Sequence, residues 1–320
     1  MANDKTRLGY ACAIAAQVAW GLFPIYVDPL KGYDAIAFVA HRIIWSFALL
    51  FCICCLARLL RSSRFVSFTE IKAGLSNRAT LLTCVIASLL IFTNWIGFVW
   101  AVLHDHKIDA SLGYYICPQV VVLLGVIFFG ERLKRLQWIG FGLTAFGVLY
   151  MVRSSASMPL LSLMVAFSFG IYALLKKRVR LSALGGLTLE TGFLFVPAII
   201  FLAYYSGCFQ SVGLGSGVSE SGVSQAVFTS DWRLNLLLIG CGLATVVPLA
   251  LYATALKHIP LSTVGLLQFI GPTLQFLIGA FLFHEALDGS RLIGFFIVWA
   301  GVGIYLFAMR GTDSLRAHSD

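Results

Sequence analysis

Apolar residues gather along the chain into ten blocks close to twenty residues long, at 8–27, 36–57, 79–103, 110–129, 136–152, 158–175, 187–206, 234–256, 260–283 and 290–309, joined by short polar connections. About 20 predominantly apolar residues is the length at which an α-helix crosses the hydrocarbon of a bilayer. Membrane-spanning strands are about half as long and alternate strictly between apolar and polar positions. The blocks do neither, so the pattern predicts an all-α integral membrane protein of ten transmembrane helices. Composition agrees: 59% of the 320 residues are apolar and 12% charged, against roughly 45–50% and about 25% in soluble domains. The first block follows Lys5 and Arg7, as the core of a signal peptide does. It is too long for such a core and nine more spans follow, so it reads as an uncleaved anchor.

Two blocks repeat one another. Residues 111–131 read SLGYYICPQVVVLLGVIFFGE and residues 265–285 read GLLQFIGPTLQFLIGAFLFHE. One shift of 154 aligns Pro118 with Pro272, Gly125 with Gly279 and Glu131 with Glu285, then runs on without a gap through Gly140 and Gly294 to Gly147 and Gly301. Chance pairing of apolar stretches explains leucines, not proline, glycines and glutamate in one register. The chain therefore divides into a five-helix repeat at 1–153, a second at 154–311 and a tail at 312–320. A weaker echo at a shift of 149 aligns Gly21 with Gly170 and His41 with Glu190.

The net charge of +9 does not point to nucleic acid, because the cations sit in the short connections. With the N-terminus in the cytoplasm, 17 Lys and Arg fall on the inner side and 5 on the outer, and Arg42 lies inside a span. Such an imbalance orients both termini toward the cytoplasm. Five spans per half is an odd number, so the second half enters the membrane from the opposite side and the repeats are inverted. Inverted repeats about an in-plane pseudo-twofold axis are the architecture of secondary transporters.

Several strings resemble the EamA family of the drug/metabolite transporter superfamily, and within it the RarD branch: AWGLFPIY (19–26), AHRIIWS (40–46), TNWIGFVWAV (93–102), DASLGYYICPQVVVLLGVIFFGERL (109–133), LTLET (187–191) and PLSTVGLLQFIGPTLQFLIGAFLFHE (260–285). The resemblance implies ten helices, cytoplasmic termini, and export or exchange of a small organic solute across a plasma membrane, here the bacterial inner membrane. An extended Gly/Ser-rich connection at 207–233 departs from the family's pattern. Its GLGSGVSESGVSQ (213–225) lacks the strand, helix and GK[ST] ending of a phosphate-binding loop.

Few polar groups lie inside the spans, where unpaired ones cost several kcal/mol. His41 and Arg42 sit about 9 Å into span two at the helical rise of ~1.5 Å per residue. Glu190 lies near the inner end of span seven. On a functional reading Arg42 attracts or gates an anionic group, while His41 or Glu190 exchanges protons. The bland alternatives are snorkelling for Arg42 and a helix N-terminal charge interaction for Glu190. Deeper, Trp20, Asn94, Trp95, Tyr114, Tyr115, Gln119, Gln268 and Gln275 are candidates to line a pocket for a neutral or weakly charged amphipathic solute. Tyr115 and Gln119 share one helix face, as do Gln268 and Gln275. Singly, such amides also serve as interhelical bonds and such rings as packing. Pro118 and Pro272 are expected to kink spans four and nine, each freeing a backbone carbonyl. Glu131 and Glu285 are expected to cap the following helix or pair with Arg132 or Arg291. Trp100, Trp138, Trp299 and Tyr204 suit packing or the interfacial belt. Gly140, Gly142, Gly147, Gly294, Gly301 and Gly303 permit close helix approach, either between the halves or in a homodimer.

The eight cysteines show no zinc-ligand spacing and no external pairing, so neither metal nor disulfide is expected. No Walker sequence points to ATP hydrolysis, and no cofactor is implied. The rival class is an intramembrane enzyme acting on a lipid or peptide. It needs a nucleophile and base at one depth, but no span carries a GxSxG elbow, a pair of aspartates or HExxH. Ser46 lies about 140° round the helix from His41 at ~100° per residue. A receptor or scaffold does not require inverted duplication. The sequence thus points to a transporter and not an enzyme, with a small-molecule substrate and the lipid bilayer as its partners.

Overall fold

The computed structural model describes residues 2–30, 33–60, 68–103, 107–153, 159–206, 227–284 and 289–316. Among these residues all regular structure is helical: α1 (Ala2–Gly21), α2 (Phe23–Val27) with a 3₁₀ turn at Asp28–Leu30, α3 (Ala35–Leu59), α4 (Phe68–Ser76), α5 (Arg78–Leu103), α6 (Lys107–Phe129), α7 (Arg135–Arg153), α8 (Pro159–Arg178), α9 (Ala183–Tyr205), α10 (Trp232–His258), α11 (Leu261–Leu267), α12 (Ile270–Phe281) and α13 (Gly289–Arg316). Taking α1 with α2 and α11 with α12 as broken spans, and leaving aside the nine-residue α4, the bundle has ten spans. All but α7 contain a stretch long and apolar enough to cross a bilayer unaided. The 19 residues of α7 turn their polar and small positions, Gly140, Thr144 and Gly147, inward against α13. The outer surface is apolar, with Leu59 80% and Phe281 74% exposed, as lipid requires and water does not tolerate over large areas.

Local chemistry fixes where the spans begin and break. Asp34 Oδ1 accepts from Ala37 N at 2.7 Å and caps α3, and Ser182 Oγ caps α9 through Gly185 N. Pro24, lacking an N–H, cannot bond the carbonyl of Trp20, and the first span breaks between α1 and α2. The ninth span breaks at Gln268 and Phe269, and the ring of Pro272 falls in the first turns of α12. Pro118 lies inside α6, where its missing N–H leaves the carbonyl of Tyr114 without its helical partner.

The packing repeats between halves. Spans 5 and 10, 2 and 7, and 4 and 9 pack directly on one another, while 1 meets 8 as 6 meets 3, 2 meets 8 as 7 meets 3, and 4 meets 6 as 9 meets 1. Exchanging the first five spans with the second five leaves this pattern unchanged, as a pseudo-twofold axis demands. Single residues obey it too. A Cβ built on Gly140 lies 2.7 Å from Gly301 O and one on Gly301 lies 2.6 Å from Gly140 O; Gly147 and Gly294 face one another in the same way, at 3.0 and 3.1 Å. Early positions on α7 thus meet late positions on α13, so the two run antiparallel with their backbones in contact. These four glycines join the halves. Gly142 and Gly303 do not, since nothing lies within 4 Å of a Cβ at either. The weaker echo is also real in space: a Cβ built on Gly21 lies 2.6 Å from the Leu274 side chain and one on Gly170 lies 2.6 Å from that of Val120, and the two contacts interconvert under the shifts of 149 and 154. Gly130 and His284, also 154 apart, both take positive φ, 63° and 52°.

Candidate functional site

The pseudo-twofold axis passes through a cavity of about 130 Å³ between the halves. Its walls carry symmetry-related pairs from both: Trp20 and Phe169, Trp95 and Leu249, Tyr114 and Gln268, Cys117 and Gly271, Pro118 and Pro272. Gln17, Phe23, Arg42, Asn94, Phe98 and Gln275 complete it. Proline chemistry positions part of this wall. The Trp20 carbonyl released by Pro24 accepts from Gln275 Nε2 at 3.0 Å, which ties α12 to the end of α1. Asn94 Nδ2 donates to Val165 O at 2.8 Å and holds α5 to α8. Gln268 Nε2 donates to Tyr252 Oη at 2.7 Å.

Arg42 is the one ionic side chain of the lining. Its guanidinium lies 4.5 Å from the ring of Trp95 and 5.2 Å from that of Phe23, and Nε donates to Thr245 Oγ1 at 3.1 Å. The position equivalent to Arg42 under the shift of 149 is Thr191, so charge breaks the symmetry that the rings and prolines keep.

Trp20, Arg42, Asn94, Trp95, Tyr114, Pro118, Gln268, Pro272 and Gln275, all anticipated from the sequence, meet in this cavity. Four other candidates do not line it. Tyr115 Oη donates to Pro272 O at 3.3 Å, and Gln119 Nε2 donates to Thr144 Oγ1 at 2.7 Å, so this pair faces neighbouring helices. His41 Nε2 donates to Val227 O at 2.9 Å while Nδ1 accepts from Trp45 Nε1 at 3.2 Å; both ring nitrogens are occupied in one neutral tautomer. Glu190 accepts from Lys176 Nζ at 2.9 Å and from Tyr172 Oη at 3.1 Å, and the three are buried together away from the cavity.

Sequence reading missed Gln17, Phe23, Phe98, Cys117, Phe169, Leu249 and Gly271. Gln17 is the only amide in its span and was visible on that ground. Phe169 was visible as the counterpart of Trp20. Lys176 and Lys177 counted as charges of a connection, yet they occupy the last turn of α8.

Each end of the cavity is covered by contacts between the halves. Trp20, Phe169 and Tyr252 form an aromatic cluster between the halves with ring centroids 5.4–5.8 Å apart. At the end that carries most of the Lys and Arg, here the basic face, Glu131 accepts from the backbone N–H groups of Leu261 and Ser262 at 2.6 and 2.8 Å. Lys177 Nζ lies 4.0 Å from Glu131 and donates to Leu256 O and Ile259 O at 3.1 and 2.6 Å. This corrects the expectation for Glu131, which caps a helix of the other half and not its own successor. The reason is that α11 begins with unsatisfied N–H groups beside the end of α6, and a carboxylate there meets both hydrogen bonds and dipole. Gly130, at positive φ, makes the turn that aims it. Glu285 lies outside the described residues. At the opposite face Tyr26 donates to Leu237 O, and Tyr33 to Val227 O at 2.8 Å. Burial, then Tyr205 and Asp34, push the Tyr33 phenol up to about 12, so it remains a donor at neutral pH.

A ten-helix membrane bundle whose two halves interchange about a central cavity is the build of a membrane transporter. The comparisons agree. Residues 7–153 match the EamA-like transporter family. The chain is 38% identical to the uncharacterized transporter YojE of Bacillus subtilis over 96% of each chain. It is 35% identical to protein RarD of Streptomyces exfoliatus, over 99% of this chain and 94% of that one, and 32% identical to protein RarD of Escherichia coli over 96% of both. A solved crystal structure shares the fold at 16% identity, with a TM-score of 0.65 over 96% of this chain and 99% of its own. The chain belongs to the EamA-like transporter family.

Proposed function

We propose that this protein is a secondary transporter that exports or exchanges a small organic solute by alternating access, seated in the bacterial inner membrane with its basic face in the cytoplasm. The observation that carries the reading is the composition of the cavity wall, built from pairs of residues that the pseudo-twofold exchanges. A site on that axis presents equivalent surfaces toward both faces, so rocking one half against the other exposes it to each side in turn. The orientation rests on the Lys and Arg gathered at the basic face. In this picture the Glu131 and Lys177 contacts close the cytoplasmic side. Catalysis by His41 is disfavoured, since both its ring nitrogens are engaged, by Val227 and Trp45.

The test is counterflow in proteoliposomes across a panel of small organic solutes. Alternating access through this site predicts counterflow for at least one solute, weakened at least tenfold by Arg42→Ala and by Gln268→Ala. Absence of counterflow for the whole panel, with protein that binds a panel member, contradicts it.

A further inference from the structure

The guanidinium of Arg42 faces a space with no acidic side chain in its walls. Among the described residues no carboxylate lies within ion-pair distance of it. Its Nε is spent on Thr245, and its Cζ lies over the rings of Trp95 and Phe23. A cation held among rings at membrane depth is costly unless something compensates it, and the two rings supply only part of that compensation. Elsewhere in the bundle the deeply buried cation Lys176 has its carboxylate, Glu190. The contrast marks Arg42 as a charge whose partner comes from outside the chain.

We infer that the cavity selects organic monoanions, specifically carboxylates with an apolar or aromatic body, and that Arg42 determines this specificity. The assignment rests on reading the cavity as the solute site. A guanidinium presents a planar fork that fits a carboxylate through two parallel hydrogen bonds. One cation balances one negative charge, so a polyanion brings charge that nothing in the wall neutralises. The rest of the wall is uncharged: rings, Leu249, Cys117, Gly271 and amides. Asn94, Gln268 and Gln275 are neutral amides, each donating to a protein acceptor, so none offers a charge that competes with Arg42. An organic cation meets Arg42 with no carboxylate to offset the repulsion.

Cys117, on the wall of the same cavity, provides a probe independent of any natural solute. In a variant retaining Cys117 as its only cysteine, the rates of modification by the anionic sulfonatoethyl and the cationic trimethylammonioethyl methanethiosulfonates are compared, each relative to a free thiol in solution. One focused charge predicts an excess of about tenfold for the anion. That excess falls by about the same factor in Arg42→Gln and returns in part in Arg42→Lys. A preference for the cation, no reaction with the sulfonate, or a ratio indifferent to Arg42→Gln overturns the inference. A second readout is protection of Cys117 from neutral methyl methanethiosulfonate by 3-phenylpropionate, 3-phenylpropanamide and 3-phenylpropylamine. The acid alone should protect; protection by the amide or amine as well, or by none of the three, overturns the carboxylate assignment. Anion selectivity without counterflow contradicts transport and leaves the specificity of the cavity standing.

Discussion

At the scale of single residues, the buried charges divide by whether the chain supplies their partner. Lys176, Glu190 and Tyr172 satisfy one another: both carboxylate oxygens accept a hydrogen bond, and Lys176 is 5% exposed. Breaking a buried pair from one side strands the other charge, at about 3–5 kcal/mol, whereas replacing both with apolar groups is often neutral. Lys176→Met and Glu190→Leu should each lower the denaturation midpoint sharply in detergent, and the double variant should recover most of the loss. A double variant that also keeps transport shows that Glu190 serves the fold; one that folds and loses proton-dependent transport assigns it to coupling. Intramembrane position made Arg42 and Glu190 legible in the sequence as unusual residues. Which of them faces the cavity was not, because depth along a helix does not fix the direction of a side chain. The same limit explains Tyr115 and Gln119, which share a helix face that turns out to meet neighbouring helices.

At the scale of the elements, the glycines of α7 and α13 carry opposite consequences within a few residues. Gly140→Ala places a Cβ 2.7 Å from the backbone of α13 and should cost about 1–3 kcal/mol by overpacking. Gly142→Ala meets nothing and should gain about 0.5–1 kcal/mol of helix propensity; thermal denaturation in detergent distinguishes the two signs. His284 takes φ 52° where its counterpart is Gly130, so His284→Gly should relieve a left-handed backbone cost of about 1 kcal/mol and raise the same midpoint. Element positions were largely legible, since about twenty apolar residues announce a span whatever its surroundings. The short α4 was not, because nine residues in a basic connection give no such signal.

At the scale of the whole molecule, duplication was legible in the register of Pro118 with Pro272 and of the glycines around them. The structure turns that register into packing that interchanges between halves, down to the contact pairs of Gly21 and Gly170. The cross-half role of Glu131 stayed hidden, because it joins residues about 130 positions apart and no local pattern signals such a meeting. If Glu131 holds the basic face closed, Glu131→Ala, which removes two hydrogen bonds to the start of α11, should shift the population toward opening there. The most direct measurement is the sidedness of access to the cavity: Cys117, as the only cysteine, is challenged with a membrane-impermeant thiol reagent in right-side-out and in inside-out vesicles. Alternating access predicts modification from both sides, with Glu131→Ala raising the rate from the basic face and lowering it from the other. Modification from one side alone, unchanged by Glu131→Ala, contradicts it.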